Sequence, residues 1–474
     1  MSNSHGKELT SLSAVELGRL IRTRAVSPVE AVEAYLRRIE SLNPTLNAIV
    51  TLAPDALERA RAAEASAARG DVTGLLHGLP LTVKDTIDVR GLRTVCGSRV
   101  RAEYVAGEDA PAVARLRAAG AIILGKTNCP EFALDYTSDN PVFGRTNNPH
   151  DLSRTPGGSS GGCAAAVAAC MSAGSLGSDL GGSVRIPAHF CGVAGLKPTA
   201  GRVPGGGHTP PVSGLHSLGA ALGPLARGVE DLQLLYGVLS GEAPVQDVES
   251  DARAALKGMR VAFYTEDPST LTTAETRAAV EQAARVLADA GLEVFEETPP
   301  GVGAATGLWL SLFEYATQRF VRAAYAGREE EAGRAPRVIL ERAARWGEPS
   351  LEKVLAAWEE RDRVRGSLLK WMERTPLFVA PVGAVPAFRH EEFGRVEVEG
   401  QSVPTFRAFA YAHAANVFDL PAASVPAGRD AAGLPVGVQV VGRPHEEWRV
   451  LAAARVVEGA LGGWRPPHLT LPKA

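Results

Sequence analysis

Two glycine-rich, serine-bearing segments dominate the chemistry of this sequence: TPGGSSGG at residues 155–162 and LGSDLGGSVRIP at residues 176–187. The Ala-rich apolar stretch 163–173 between them predicts a helix that neighbours can approach closely. Taken singly, each segment reads as a Gly/Ser loop; as a pair around an apolar helix, they do not read as a linker. Glycine loops before helices offer N–H groups to anions, but neither segment has GxxxxGK[ST] or GxGxxG spacing, which disfavours nucleotide binding. Gly157, Ser159 and Gly161 satisfy G-x-S-x-G. A nucleophile elbow, however, follows a strand directly, and here the polar, Pro-containing NNPHDLSRTP comes first. An S-x-x-K match at Ser350 and Lys353, with Ser138, Asp139 and Asn140 as S-D-N, runs in reversed order and lacks K-T-G, so it is discarded.

What remains is hydrolysis by a serine whose base is not histidine. Serine needs a proton acceptor to be nucleophilic near neutral pH, and lysine can serve only when neutral. A lysine starts near ~10.4, and bringing it to about 7 to 8 takes roughly 4 kcal/mol of differential destabilisation, which burial without a facing carboxylate can supply. Of 50 basic residues only eight are Lys: Lys7, Lys84, Lys126, Lys197, Lys257, Lys353, Lys370 and Lys473. Where charge is mostly Arg, a Lys inside an apolar segment can do what guanidinium cannot, which is lose its proton. Lys84, Lys126 and Lys197 fit that description. Lys84 ends the strand-like run LPLTVKD, and alternation points Asp85 to the opposite face. Standing alone, it would read as a solvated strand-end lysine.

The elements that must position these groups begin with helices over the first 70 residues. Ser13 with Glu16 and Ser27 with Glu30 form capping boxes, Pro28 takes the first helical position, and Ala31, Val32, Tyr35, Leu36 and Ile39 follow at helical spacing. Asn43 and Pro44 are expected to end that helix, and a third helix covers 54–69. Strands at 79–83 and 121–124 flank a helix at 110–119, a βαβ unit that implies parallel pairing. The pattern returns as strand 260–264, helix 273–290 and strand 292–295. Helical stretches then run from 306 to 372, followed by strands at 377–381, 422–426 and 436–441 and a last helix at 446–458. Strand signals towards both ends, without a clear linker, predict an α/β protein with one large sheet covered by helices on both faces.

Composition narrows the class. A length of 474 residues permits several domains, but nothing forces a cut. The chain is 45% hydrophobic, 22% charged and 6% aromatic, which is globular composition. Lys plus Arg is 50 against 53 Asp plus Glu, a net charge of -3, so no basic excess favours nucleic acid or an anionic membrane as partner. The polar start MSNSHGKELT lacks a secretory stretch and no apolar run reaches about 18 residues, which reads as soluble and cytoplasmic. Cys96, Cys129, Cys163, Cys170 and Cys191 are odd in number and lack a CxxC pair, so they are expected to be small buried hydrophobes. The ten scattered histidines show no HExxH spacing and read as ordinary polar residues, so no metal or other cofactor is expected.

Four segments resemble the core of the amidase signature family: HGLPLTVKDTIDVRGLRTVCGS from His77, ILGKTNCPEFA from Ile122, GRTNNPHDLSRTPGGSSGG from Gly144 and GSDLGGSVRIPAHFCGVAGLKPT from Gly177. The resemblance extends through SPVEAVEAYLRRIESLNPTLNAIV, GPLARGVEDLQLL and GLPVGVQVVGRP, and weakens over 240–420. It implies a large mixed sheet within a single domain over 1–474: a helical segment 1–70, a catalytic core 71–240, a divergent substrate-pocket region 241–420, and strands and a helix returning to the sheet over 421–474. Carried over by position, it implies a Ser-cisSer-Lys triad with Ser183 as nucleophile, Ser159 as bridging serine after a cis peptide, and Lys84 as base. The N–H groups of Leu180, Gly181, Gly182 and Ser183 are the expected oxyanion hole, and bulk at Gly181 or Gly182 should be damaging. Asp179 and Arg185 brace the nucleophile loop, Ser160 supports its own loop, and Lys126 and Lys197 are structural. Ala133, Leu134 and Tyr136 fall where the family lines its acyl pocket, and the helical region of Trp309, Phe313 and Tyr315 is the candidate for the rest. The resemblance implies a stand-alone amidase that cleaves a small-molecule amide through a seryl acyl-enzyme, because NCPEFALDYTSDNPVFGRTNNP looks more like stand-alone members. A glutaminase subunit of a tRNA-dependent amidotransferase and an inactive homologue serving as a scaffold are the alternatives. A homodimer is expected from the resemblance alone.

Overall fold

The computed structural model describes residues 8–242, 256–267, 270–392 and 394–468; the readings made on Lys7, on Lys473 and on the first residues of the chain lie outside these. In chain order the strands are β1 (Ile49–Leu52), β2 (Pro80–Lys84), β3 (Ile122–Thr127), β4 (Gly174–Asp179), β5 (Ala194–Lys197), β6 (Ala221–Ala226), β7 (Arg260–Phe263), β8 (Glu293–Glu296), β9 (Leu377–Pro381), β10 (Arg395–Val398), β11 (Gln401–Pro404), β12 (Ala422–Arg429) and β13 (Pro435–Gly442). Eleven form one mixed sheet in the order β1-β3-β2-β4-β6-β5-β12-β13-β9-β7-β8, while β10 and β11 make a separate hairpin. The two expected βαβ units are present, β2 beside β3 and β7 beside β8, each pair parallel. Every residue of β2, β3, β9 and β13 is buried, as strands covered on both faces require.

Helix Gly161–Ala168 packs on β4 and β6, while helices Ala274–Asp289 and Glu447–Leu461 pack on β12 and β13. A second apolar cluster joins Leu312, Phe313, Val364 and Leu368 to Phe378 of β9 and Phe409, and so fastens the helical region after residue 305 to the sheet. Of the two expected capping boxes, Ser27 with Glu30 closes a full one, while at Ser13 only the serine half forms, accepting from the Glu16 N–H. Ser350 likewise caps helix Leu351–Met372 by accepting the Lys353 N–H, which is the whole meaning of the S-x-x-K match.

Three expectations are corrected. The second helix runs through Pro44 to Leu46, because Asn43 Oδ1 accepts the N–H groups of Ala48 and Ile49 beyond the helix end (2.9 Å each) and holds the turn there. The Ala-rich helix stops at Ala168 instead of 173, where Cys170 adopts a left-handed φ of 58°. Strands β1, β4, β5 and β6, rich in small residues or placed inside expected helical and loop regions, were not anticipated.

Candidate active site

Lys84 is the last residue of β2 and its side chain is wholly buried. Its Nζ donates to Ser159 Oγ at 2.6 Å and to Ser178 Oγ at 3.0 Å, so both partners are hydroxyls. Burial lowers this ammonium below the ordinary lysine range. One residue on, alternation turns Asp85 away to lie 3.5 Å from Lys126 Nζ, which also donates to Thr94 Oγ1 at 2.9 Å. Lys197 Nζ is tied to the carbonyls of Pro198 (3.0 Å) and Leu420 (3.1 Å), away from both serines.

Ser159 follows a cis Gly158–Ser159 peptide just ahead of helix Gly161–Ala168, with no strand leading into it. Its loop is pinned on several sides. Ser138 Oγ donates to Gly157 O (2.9 Å) and accepts from the Gly161 N–H (3.1 Å), and Ser160 Oγ donates to Ser178 O (3.3 Å). A Cβ on Gly158 would lie 2.5 Å from the carbonyl oxygens of Asp135 and Thr137, so only glycine fits between them. Ser183 lies between β4 and helix Arg185–Cys191, and its carbonyl accepts the Ser160 N–H (3.1 Å), stitching the two glycine segments together. Ser159 and Ser183 border one small cavity, and among the described residues no group hydrogen-bonds Ser183 Oγ.

The loop that carries Ser183 is braced by a buried ion pair. Arg185 contacts Asp179 through Nε (3.1 Å) and Nη2 (3.0 Å), and reaches Asn416 Oδ1 and Gln439 Oε1 at 2.7 Å each. Burial pushes the Asp179 carboxyl up, but Arg185, Lys197 and the Asn416 amide outweigh it and hold the group well below the usual carboxylate range. Asp179 in turn accepts the N–H groups of Gly182 (2.8 Å) and Val184 (3.1 Å). The expected set of four oxyanion donors is therefore narrowed, since Gly182 gives its N–H to the brace. Gly182 has a φ of +103°, and a Cβ there would meet Ile186 at 2.6 Å and Ala412 at 2.7 Å. A Cβ on Gly181 would find ordinary contacts of 3.4 Å or more, so the packing opposes a side chain at Gly182 and not at Gly181.

Ala133, Leu134 and Tyr136 line a larger pocket of about 320 Å³ that also borders Ser183, with Trp309 and Phe406 among its walls. Phe132 and Ala133 take left-handed φ values of 51° and 62°, a turn that L-residues rarely adopt and that turns Ala133 and Leu134 towards both cavities. Trp309 Nε1 donates to Leu180 O (2.8 Å) and Tyr136 Oη to Gly181 O (3.2 Å), so both rings hold the nucleophile loop by their polar tips. His413 stands 2.9 Å from Tyr136 Oη and is held neutral, its imidazolium pushed down to about 3 by burial and by Arg185. Phe313 is core, and Tyr315 faces a separate surface groove, so of the three helical aromatics only Trp309 reaches the pocket. The π-turn Leu310–Glu314 lies between Trp309 and Tyr315, which face different spaces.

Two residues escaped the sequence reading. Ser178 bonds Lys84, and His208 Nε2 lies 2.9 Å from Ser178 Oγ and 3.0 Å from Thr86 Oγ1. His208 Nδ1 sits 2.6 Å from Pro210 O, a group that only accepts, so Nδ1 carries the proton and Nε2 is the acceptor. Burial first, then the charge of Lys84, hold His208 neutral by pushing it down to about 3. The pairing of -SDL- with -GHTPP- was a possible signal, but the two lie 30 residues apart.

All five cysteines are buried and free. Among the described residues no three His, Cys, Asp or Glu side chains gather as a metal ion would require, and no helix is long and apolar enough to cross a membrane.

A buried lysine against a serine, beside a second serine at the junction of two cavities, is hydrolase geometry. The Amidase family model matches residues 30–451, and the chain belongs to that family. It is accordingly a hydrolase acting on carbon–nitrogen amide bonds. The chain is 37% identical to a glutamyl-tRNA(Gln) amidotransferase subunit of Anaeromyxobacter sp. (strain K), covering 96% of this chain and 97% of that one. Among solved structures it is similar to an amidase (TM-score 0.84, 32% identity, 95% of this chain and 100% of that one). It is also similar to 6-aminohexanoate cyclic dimer hydrolase complexed with substrate (TM-score 0.85, 30% identity, 98% and 99%).

Proposed function

We propose that the chain is a stand-alone amidase in which Ser183 attacks the acyl carbon, Ser159 relays protons and Lys84 is the base. The observation that carries this reading is Lys84 Nζ, buried and 2.6 Å from Ser159 Oγ with only hydroxyl partners. Neutral Lys84 takes the Ser159 proton as Ser159 takes that of Ser183, and the tetrahedral intermediate forms as the Ser183 oxygen bonds to carbon. When the C–N bond breaks, Ser159 protonates the leaving nitrogen and is refilled from Lys84, leaving an acyl-Ser183 ester. Water then repeats the sequence and frees the carboxylate. The Ser159–Ser183 contact closes when substrate fills the cavity, in keeping with the looseness of catalytic hydrogen bonds before binding. The N–H groups of Leu180, Gly181 and Ser183 receive the oxyanion, with Gly182 fixing the loop through Asp179.

Ser178 and His208 orient the base. With the Ser178 hydroxyl proton directed to His208 Nε2, the Ser178 oxygen accepts an N–H of Lys84, and the lysine lone pair is left to face Ser159.

The likeness to a glutamyl-tRNA(Gln) amidotransferase component favours one other reading, a glutaminase that passes ammonia within an assembly. Assaying the purified chain alone on aliphatic, aryl and peptide amides and on glutamine, with Ser183→Ala as blank, separates the two. Partner-free cleavage of simple amides is expected; strict dependence on a partner with activity on glutamine alone would overturn the stand-alone reading.

A further inference from the structure

The space around Ser183 is strongly asymmetric. One space is a small cavity of about 60 Å³, whose walls include Ser159, Ser178, His208, Pro210, His216 and Ala220. The other is a pocket of about 320 Å³ whose walls include Tyr136, Trp309, Val338, Ile339 and Phe406. Ala133, Leu134, Leu180, Ser183 and Thr317 border both, but Ser159 borders only the small one. If Ser159 protonates the departing nitrogen, that nitrogen must lie within hydrogen-bond reach of Ser159 Oγ, and so in the small cavity. The acyl group is then directed into the larger pocket.

We infer that the preferred substrate is a primary amide of a bulky apolar carboxylic acid, arylalkyl or branched, which leaves as ammonia. The inference rests on the relay assigned to Ser159 above. The small cavity offers about 60 Å³ against about 320 Å³ in the large pocket, which suits ammonia as the departing group better than a bulky amine. It shares Pro211 and His216 with the lining of a surface groove. The large pocket presents carbon. The polar tips of Trp309 and Tyr136 are bound to Leu180 O and Gly181 O, which leaves their rings to face the acyl group. Trp309 and Phe406 meet edge to face at 5.1 Å, forming a wall suited to a flat or branched apolar group. The charges on the pocket's margin are already engaged: Glu314 with Arg342 (3.5 Å) and Gln318 (3.2 Å), and Asp135 with the Tyr136 N–H (2.6 Å). The ammonium and carboxylate of free glutamine would have to compete with those pairings.

The test is kcat/KM of the purified chain on two series, each corrected with Ser183→Ala. In the acyl series, phenylacetamide should exceed acetamide by about tenfold or more, as burial of a ring in an apolar pocket predicts. In the amine series, N-benzylphenylacetamide should fall about hundredfold below phenylacetamide, the scale on which a tight pocket rejects added groups. Equal rates on the primary and N-benzyl amides, or glutamine outrunning phenylacetamide, would overturn the inference while leaving a Ser183-dependent amidase in place. Absence of Ser183-dependent cleavage on every amide would instead sink the proposed function, and this inference with it.

Discussion

β2 and β3 lie side by side in the sheet, and each carries a buried lysine at or next to its last residue. Lys84 closes β2 and Lys126 sits one residue before the end of β3, in adjacent positions of a parallel register. The two lysines face opposite chemistry. Lys126 is matched by the Asp85 carboxylate at 3.5 Å, whereas Lys84 meets two hydroxyls. A carboxylate stabilises the ammonium and makes a strut; hydroxyls cannot offset the loss of water, and the amine becomes a base. Lys197 adds a third case. It is pushed down to about 8 by burial, yet only carbonyls receive its protons, so a lowered ammonium without a neighbouring hydroxyl makes no catalyst. The single-residue alternation from Lys84 to Asp85 thus gives one lysine hydroxyl partners, as the proposed base requires, and its neighbour a carboxylate.

The largest effects should fall on the β2 side. Ser183→Ala should lower kcat by about 10⁴-fold or more, the scale of losing a nucleophile. Lys84→Ala should lower kcat by about 10³-fold, within the range of general acid–base catalysis, with the thermal midpoint held or raised because a desolvated amine is removed. Lys84→Arg should not rescue turnover, since guanidinium does not accept the proton. Substantial activity in the arginine variant would break the contrast between the two lysines. Lys126→Met should do the reverse. It leaves the Asp85 carboxylate buried without its cation, a loss of about 3–5 kcal/mol in denaturant unfolding, while the folded fraction keeps the pH profile of the parent.

The glycines supply a finer contrast within the nucleophile loop. Gly182→Ala should lower kcat by about 10²-fold, because both the left-handed φ and the Ile186 and Ala412 contacts oppose a Cβ and would displace neighbouring oxyanion donors. Gly181→Ala should stay within about tenfold of the parent, since its N–H survives and its Cβ finds ordinary contacts. Matched kinetics on the two variants checks this, and equal losses would show that the loop tolerates neither.

Much of this was legible in the residues. Strand period placed Asp85 opposite Lys84, the capping serines marked helix starts, and the paired glycine segments with their intervening helix marked the site. What escaped did so for physical reasons. β4 (GSLGSD), β5 (AGLK) and β6 (ALGPLA) carry few of the branched or aromatic residues that favour strands, and their extended state is imposed by neighbours in the sheet. Ser178 and His208 are distant in sequence and meet only because β4 and the loop after β5 converge on the end of β2. In the helical region, spacing alone could not separate Trp309, which lines the pocket, from Phe313, which is core, nor foresee the π-turn between Trp309 and Tyr315. The larger pocket is thus a product of how that region docks. Tyr325 contributes to the docking by donating to Glu131 and by lying 2.8 Å from Ser98 Oγ.

The most direct test of Lys84 as a neutral base is the pH dependence of kcat/KM on one amide. The neutral fraction of Lys84 grows as pH rises through its lowered ammonium pKa, so the logarithm of the rate should climb with unit slope and level off below the 10.5 of an ordinary lysine. The same limb should be missing from the residual activity of Lys84→Ala. A profile that is flat across the range, or one that levels only at the ordinary lysine value, would contradict the account.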